Sequence, residues 1–351
     1  MNRLLRHASR LLPALLALGL LAWVLRSADV GRAFGLVGSL GVRLPLLLLP
    51  HLTAILFETF GWRLSFVRLG ARPSFSGLLA VRVMVDALLL GLPSGSVMSE
   101  TLQPYLLKRR CGVTMEAGIV ATVARKFFVV VSHGLFLALA TILAWPLLHS
   151  ASATAIGRTG LPWLLLATSA ILVGAALAGV LATAHARVAD RVHRRLDQVG
   201  GRWIGSWLER NALRFRRTDD ALSAFFRHQP SGLAFPVALY GLGWLVRSLE
   251  TWLFLGLVGV TVPLRAAMVL ETTLILVRAL AVPVPAGLGV QDAGYILCLK
   301  ALGVPDATTV GAAFVFLKRG KDLFWILLGF VLLAFARRGE AVLAPMPEGA
   351  A

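Results

Sequence analysis

Acidic residues are scarce in this chain: 17 Asp and Glu stand against 35 Lys and Arg over 351 residues, and cysteine occurs only twice. Cys111 and Cys298 supply neither a disulfide framework nor a thiolate metal set, so both read as packing residues. HExxH, GxSxG, GxxxxGK(S/T), CxxC and the EF-hand loop are absent, which leaves the corresponding hydrolases, nucleotide enzymes and calcium sensors without their machinery. Gly287-Leu-Gly289 is not a dinucleotide fingerprint, because no third glycine follows at the required spacing and no strand pattern precedes it. The expectation is a protein with no catalytic residues, no metal site and no cofactor.

Long polar stretches are also missing, with one exception. At 58% hydrophobic residues and a mean hydropathy of +0.79, the composition is that of a polytopic membrane protein, with no room for a soluble enzyme domain. In a soluble chain the basic excess would suggest nucleic acid. Here it fits cytoplasmic loops facing anionic lipid, and no nucleic-acid partner is expected.

Two interruptions organise what is present. Pro283-Val-Pro285-Ala-Gly287-Leu-Gly289-Val-Gln-Asp292 breaks a long apolar segment, which then resumes as a helix up to Lys300. The same pattern occurs earlier at Pro93, an offset of 192 residues (285 − 93). At that offset Gly95 falls on Gly287, Glu100 on Asp292 and Lys108 on Lys300. With a slip of one or two residues, Gly112-Val113 matches Gly303-Val304, Glu116 matches Asp306, and Arg125-Lys126 matches Lys318-Arg319. A freed carbonyl or amide in hydrocarbon is costly unless protein or a wet cavity satisfies it, and paired broken segments in two halves point to a transporter's binding site.

The chain therefore reads as an all-α polytopic membrane protein of about eight transmembrane helices plus two short broken or re-entrant helices, arranged as two inverted repeats. Residues 1–184 form the N-terminal half with the first broken motif at 93–110, and 231–338 the C-terminal half with the second at 283–304; 339–351 reads as a disordered tail. Arg3, Arg6 and Arg10 precede the apolar run Leu11 to Leu25, and Arg26 follows it directly with no small-residue cleavage site. That run is expected to be a retained first helix with a cytoplasmic N-terminus. Residues 185–230 carry ten Arg against five acids, with Val188, Val192, Leu196, Val199, Trp203 and Trp207 at helical spacing. This is the pattern of an amphipathic helix on an anionic leaflet; a solvated cytoplasmic linker is the plainer reading. Counting crossings by loop charge puts both termini and this segment in the cytoplasm.

Inside the apolar spans, Arg82 and Asp86 are four apart and Arg247 and Glu250 three apart, so each couple reads as a pair on its own helix. Arg125 and Lys126 lie about ten residues into their span, roughly 15 Å along the axis, and must snorkel or meet something anionic. His133, two turns beyond Arg125, either lines the same cavity or hydrogen-bonds between helices.

The pieces Pro285-Ala-Gly-Leu-Gly-Val-Gln-Asp292 with Leu302-Gly-Val304, and Pro93-Ser-Gly95 with Glu100 and Tyr105-Leu-Leu-Lys-Arg109, resemble the lysylphosphatidylglycerol synthase transmembrane (flippase-like domain) family over about Leu11 to Ala336. The resemblance implies a multipass bacterial inner-membrane protein and, by analogy with bifunctional members, movement of a lipid between leaflets. Ala286, Asp292 and Gln103 depart from the family pattern. No aminoacyl-transferase domain follows in this sequence, so synthase activity is not carried over. Leu106 to Arg110 and Gly243 to Glu250 look most like the stand-alone branch associated with hopanoid biosynthesis.

The candidate lipid site is Glu100, Lys108, Arg125, Lys126, Asp292, Lys300, Lys318 and Arg319, around turns built by Pro93, Gly95, Pro283, Pro285, Gly287 and Gly289. In this reading the cations attract an anionic or polar headgroup, while Glu100 and Asp292 bind its amine or tune the cations. The alternative is an accessory scaffold that holds lipid-biosynthetic enzymes at the membrane through 185–230.

Overall fold

The computed structural model describes residues 28–92, 95–185, 217–227, 230–280 and 287–341, with isolated positions at 19, 22, 25, 26 and 284. The expected first helix, Pro93, Pro283, Pro285, most of 185–230 and nearly all of the tail lie outside the described residues. Helix α1 (Val30–Gly38) leads through a 3-10 stretch, Gly41–Leu48, into α2 (Leu49–Arg68). The series continues with α3 (Phe75–Gly91), α4 (Gly95–Cys111), α5 (Met115–Leu143), α6 (Trp145–Ile156) and α7 (Leu161–His185). After a helical stretch at 217–227 come α8 (Ala234–Leu257), α9 (Leu264–Leu280), α10 (Val290–Ala301) and α11 (Ala307–Ala341). No strand occurs among the described residues. The protein is an all-α polytopic membrane protein.

Local chemistry sets the boundaries. Ser74 and Thr114 cap α3 and α5, each hydroxyl accepting from the amide three residues on (Gly77 N and Ala117 N, both 3.2 Å). Pro45 removes an amide donor from the run before α2, which winds as 3-10 helix until Leu49. Among the described residues three helical stretches are long and apolar enough to cross a bilayer: Gly41–Arg68, Met115–Leu143 and Leu161–Thr183. The others are shorter or, in α8 and α11, carry charged residues that the interior uses. α7 turns most of its apolar surface outward, with Trp163 at 66% and Ile171 at 69% exposure; in a bilayer these contact acyl chains.

Two packed layers bracket the centre. Trp62, Phe66, Leu78, Met84 and Leu107 form a core between α2, α3 and α4, while Phe254, Leu255, Leu299 and Phe314 form one between α8, α10 and α11. α2 packs along α8, and α11 packs along α3. The helix at 217–227, the described end of the basic segment, buries Leu222, Phe225 and Phe226 against α5, with Phe127 and Phe226 edge to face at 5.6 Å.

The α3–α11 crossing depends on Gly329, where an added Cβ would lie 2.4 Å from Ala87 Cβ and 2.6 Å from the Val83 carbonyl. With backbone as the obstacle, Gly329→Val is expected to cost about 1–3 kcal/mol by overpacking. The check is a lowered midpoint of thermal unfolding in detergent.

A candidate headgroup cavity

Between these layers lies a cavity of about 470 Å³ whose wall draws on α2, α3, α4, α5, α8, α9 and α11. Five basic residues line it (Arg82, Arg125, Lys126, Arg247, Lys321) and five acidic ones (Glu58, Asp86, Glu100, Glu271, Asp322), so the formal charges of the wall cancel. A buried charge in an apolar bundle must be paired, and the pairs follow a clear order.

Glu58 is the first hub. Its Oε2 accepts from Arg82 at 2.6 Å and its Oε1 from Arg247 at 2.6 Å, and Arg82 also pairs with Asp86 one turn along α3. Glu250 is the second, its Oε1 accepting from Lys318 at 2.8 Å and Lys321 at 2.7 Å. Lys318 reaches on to Glu271 at 3.1 Å, and Thr251 and Tyr295 donate to the same carboxylate at 2.5 and 3.0 Å. The sequence pairing of Arg247 with Glu250 is therefore corrected. Although three apart on α8, they point to different neighbours, one to α2 and the other to α11.

The broken segments supply a third layer. Asp292 sits in the first turn of α10, where Oδ2 accepts from Gly289 N at 2.9 Å and Oδ1 accepts from Arg319 Nε at 2.9 Å and Nη2 at 2.6 Å. Gly287 and Gly289 take φ of 63° and 81°, a left-handed turn open to glycine. On the other motif Glu100 pairs with Lys126, both side chains about half exposed. Gly95 stands where a Cβ would be 2.3 Å from the Leu88 carbonyl.

Among the ten charged wall residues, Arg125 is the exception. No carboxylate or hydrogen-bond partner meets its guanidinium among the described residues; it is half-buried, with its central carbon 5.8 Å from the Trp62 ring centroid. His51, 5% exposed and tilted against Trp325 at 5.1 Å, lines the cavity with both ring nitrogens unpartnered. His133 satisfies both sequence readings: it lies on the wall, its Nε2 is 3.1 Å from the Thr272 carbonyl, and its ring stacks on Trp244 at 4.4 Å.

Of the sequence-derived candidates, Glu100, Arg125 and Lys126 line the cavity, as do Gly95 and Gly287. Asp292, Lys318 and Arg319 bond into the network behind the wall. Lys108 and Lys300 lie exposed in the last turns of α4 and α10, away from the cavity, where a cation suits a helix C-terminus. Sequence reasoning missed His51, Lys321 and Asp322 as wall residues and Glu58 as a hub. The offset of 192 holds a signal for the last, because it aligns Glu58 with Glu250 and Trp62 with Phe254.

Residues 10–320 match the family model described as the lysylphosphatidylglycerol synthase TM region. The chain belongs to this family. Membership makes it a membrane protein connected with lipid handling. No curated protein and no solved structure matches the chain.

Proposed function

We propose that the protein binds a lipid by its polar or anionic headgroup in the central cavity and moves it between the leaflets of a bacterial inner membrane, both termini being cytoplasmic; a lipid of the hopanoid pathway is one candidate. It performs no chemistry on that lipid. One observation carries the reading: a half-buried arginine that no carboxylate contacts among the described residues lines a charged cavity in an otherwise ion-paired apolar bundle. A lone cation held in such a place awaits an anion from outside the chain. Acyl tails would remain in the bilayer while the headgroup crosses. The two halves would act as inverted repeats. Support comes from α5 and α11, which begin 192 residues apart (307 − 115), the offset that also relates the two broken segments.

The test is leaflet-resolved labelling of headgroup-tagged phospholipid in vesicles reconstituted with the full chain. Transbilayer movement above protein-free vesicles is expected, falling at least tenfold with Arg125→Met. Unchanged movement in the variant would remove the headgroup role of Arg125. A new lipid species in the mass spectrum would show chemistry rather than transport. The scaffold reading, with lipid-biosynthetic enzymes as partners, rests on 185–230, most of which lies outside the described residues.

A further inference from the structure

Resting on that reading, we infer that the matched ion pairs of the two broken segments are the two gates of the cavity, one of them open in this structure and the other shut. Their places follow from the ends of α2. Cys111, the last residue of α4, lies beside Gly77 at the start of α3, just past the C-terminal end of α2; Asp306, just before α11, pairs with Arg32 of α1, which leads into its N-terminal end. The α4–α5 turn and the α10–α11 turn therefore sit at opposite faces of the bundle. Glu100 is eleven residues from the end of α4 and Lys126 eleven into α5, while Asp292 is nine from the end of α10 and Arg319 twelve into α11. At ~1.5 Å per residue the two pairs lie at comparable depths from the two faces. Their exposure differs: the side chains of Glu100 and Lys126 are 43% and 57% exposed, those of Asp292 and Arg319 only 3% and 19%. An ion pair so deep in an apolar bundle is exposed where a wet opening reaches it, and Glu100 and Lys126 line the cavity. The cavity is thus open toward the face where α4 ends. Asp292 with Arg319, braced by Asp322 at 3.4 Å, shuts it toward the other.

The halves also differ in how completely they are bonded. An imidazole meets an indole at matched positions in both: His133 with Trp244 between α5 and α8, and Trp325 with His51 between α11 and α2, at offsets of 192 and 193 residues (325 − 133 and 244 − 51). In the first contact Trp244 Nε1 donates to Ser132 Oγ at 3.0 Å, and His133 Nε2 is 3.1 Å from the Thr272 carbonyl. In the second, Trp325 Nε1 and both ring nitrogens of His51 are buried without a partner. The helix that carries the shut gate therefore has hydrogen bonds to gain by moving, and the helix that carries the open one does not. With Gly329 seated against the Val83 carbonyl, α11 moves together with α3. A shift of these two helices against α2 and α10 parts Arg319 from Asp292. If Glu100 and Lys126 close as the second pair opens, the headgroup passes from one face to the other with no continuous pore.

The experiment reads sidedness by thiol labelling of the full chain in sealed membrane vesicles of both orientations, with Cys111→Ser and Cys298→Ser as background. One reporter is Thr122→Cys, at a half-buried wall position of α5, and the other Val315→Cys, at its 5% exposed counterpart on α11; each position lies three residues before the basic pair of its half. With a membrane-impermeant methanethiosulfonate, the Thr122→Cys reporter is expected to react from the face where α4 ends and the Val315→Cys reporter from neither. Adding Asp292→Asn opens the shut gate: the Val315→Cys reporter gains about tenfold or more in rate from the opposite face, while the Thr122→Cys reporter loses several-fold. Asp292→Glu, which keeps the carboxylate for Arg319, labels like the unaltered chain. Reaction of both reporters from both faces in Asp292→Asn overturns the inference, because the pair then holds the fold and not a gate. Equal rates at the two reporters without Asp292→Asn, or unchanged rates with it, overturn it too and leave lipid movement standing. Sided labelling in a chain that moves no lipid keeps the gates and removes the proposed function.

Discussion

Glu58→Leu is expected to destabilise the protein by about 3–5 kcal/mol, among the largest losses available from a single change, because it strips a buried carboxylate from two arginines at once. Glu58 is 4% exposed and accepts from Arg82 and Arg247 at 2.6 Å each. After the change Arg82 still has Asp86, but Arg247 keeps only the face of Trp244, 5.7 Å from its guanidinium carbon. The cost is the uncompensated charge on Arg247, not the lost contact itself. Adding Arg247→Leu to Glu58→Leu should therefore recover part of the loss, giving a double variant more stable than the sum of the singles by about 1–3 kcal/mol. Thermal unfolding of purified protein in detergent, followed by size-exclusion fluorescence, reads both. Additive single losses would mean that the pair is solvated in the protein and the hub is not the keystone of this layer.

The pairs that could be read in the sequence are those whose geometry is local or repeated. Arg82 and Asp86 meet because residues four apart share a helix face, and any helix through 75–91 brings them together. Glu100 with Lys126 and Asp292 with Arg319 are separated by 26 and 27 residues, nearly the same spacing in both halves; the match between halves aligned these acids and basic residues without stating which would meet. Arg247 with Glu58 and Lys321 with Glu250 are separated by 189 and 71 residues. Nothing along the chain fixes which of two helix faces a long-range partner will occupy, and the three-residue spacing of Arg247 and Glu250 suggested a partner nearer at hand. Lys108 and Lys300 show the converse error. They match between halves because both end a short helix, so a repeated position reports a shared architecture and not a shared site. The central fact of the cavity, that Arg125 meets no carboxylate among the described residues, is a deficit among contacts from several helices and has no sequence signature.

That deficit predicts opposite behaviour at matched positions. Lys318, 6% exposed, is held by Glu250 and Glu271 and lies over Phe254 and Phe314 at 5.7 and 5.8 Å. Lys318→Met leaves Glu250 with Lys321 and Glu271 with the hydroxyls of Thr251 and Tyr295, so stability should fall by about 3–5 kcal/mol and transport should be lost with the fold. Arg125→Met removes a cation that desolvation opposes and no carboxylate contacts among the described residues, while methionine keeps the apolar contact with Trp62. Its stability should be unchanged or higher by about 1–2 kcal/mol even as lipid movement in vesicles falls at least tenfold, the trade-off expected where a binding group is held in a place the fold alone would not choose. Melting both variants beside the unaltered chain, with and without added phosphatidylglycerol, separates the two roles. The lipid should raise the melting point of the unaltered protein and leave that of Arg125→Met where it was. A loss of stability in Arg125→Met as large as that in Lys318→Met would mean that Arg125 holds the bundle together, and the cavity would lose its anion site.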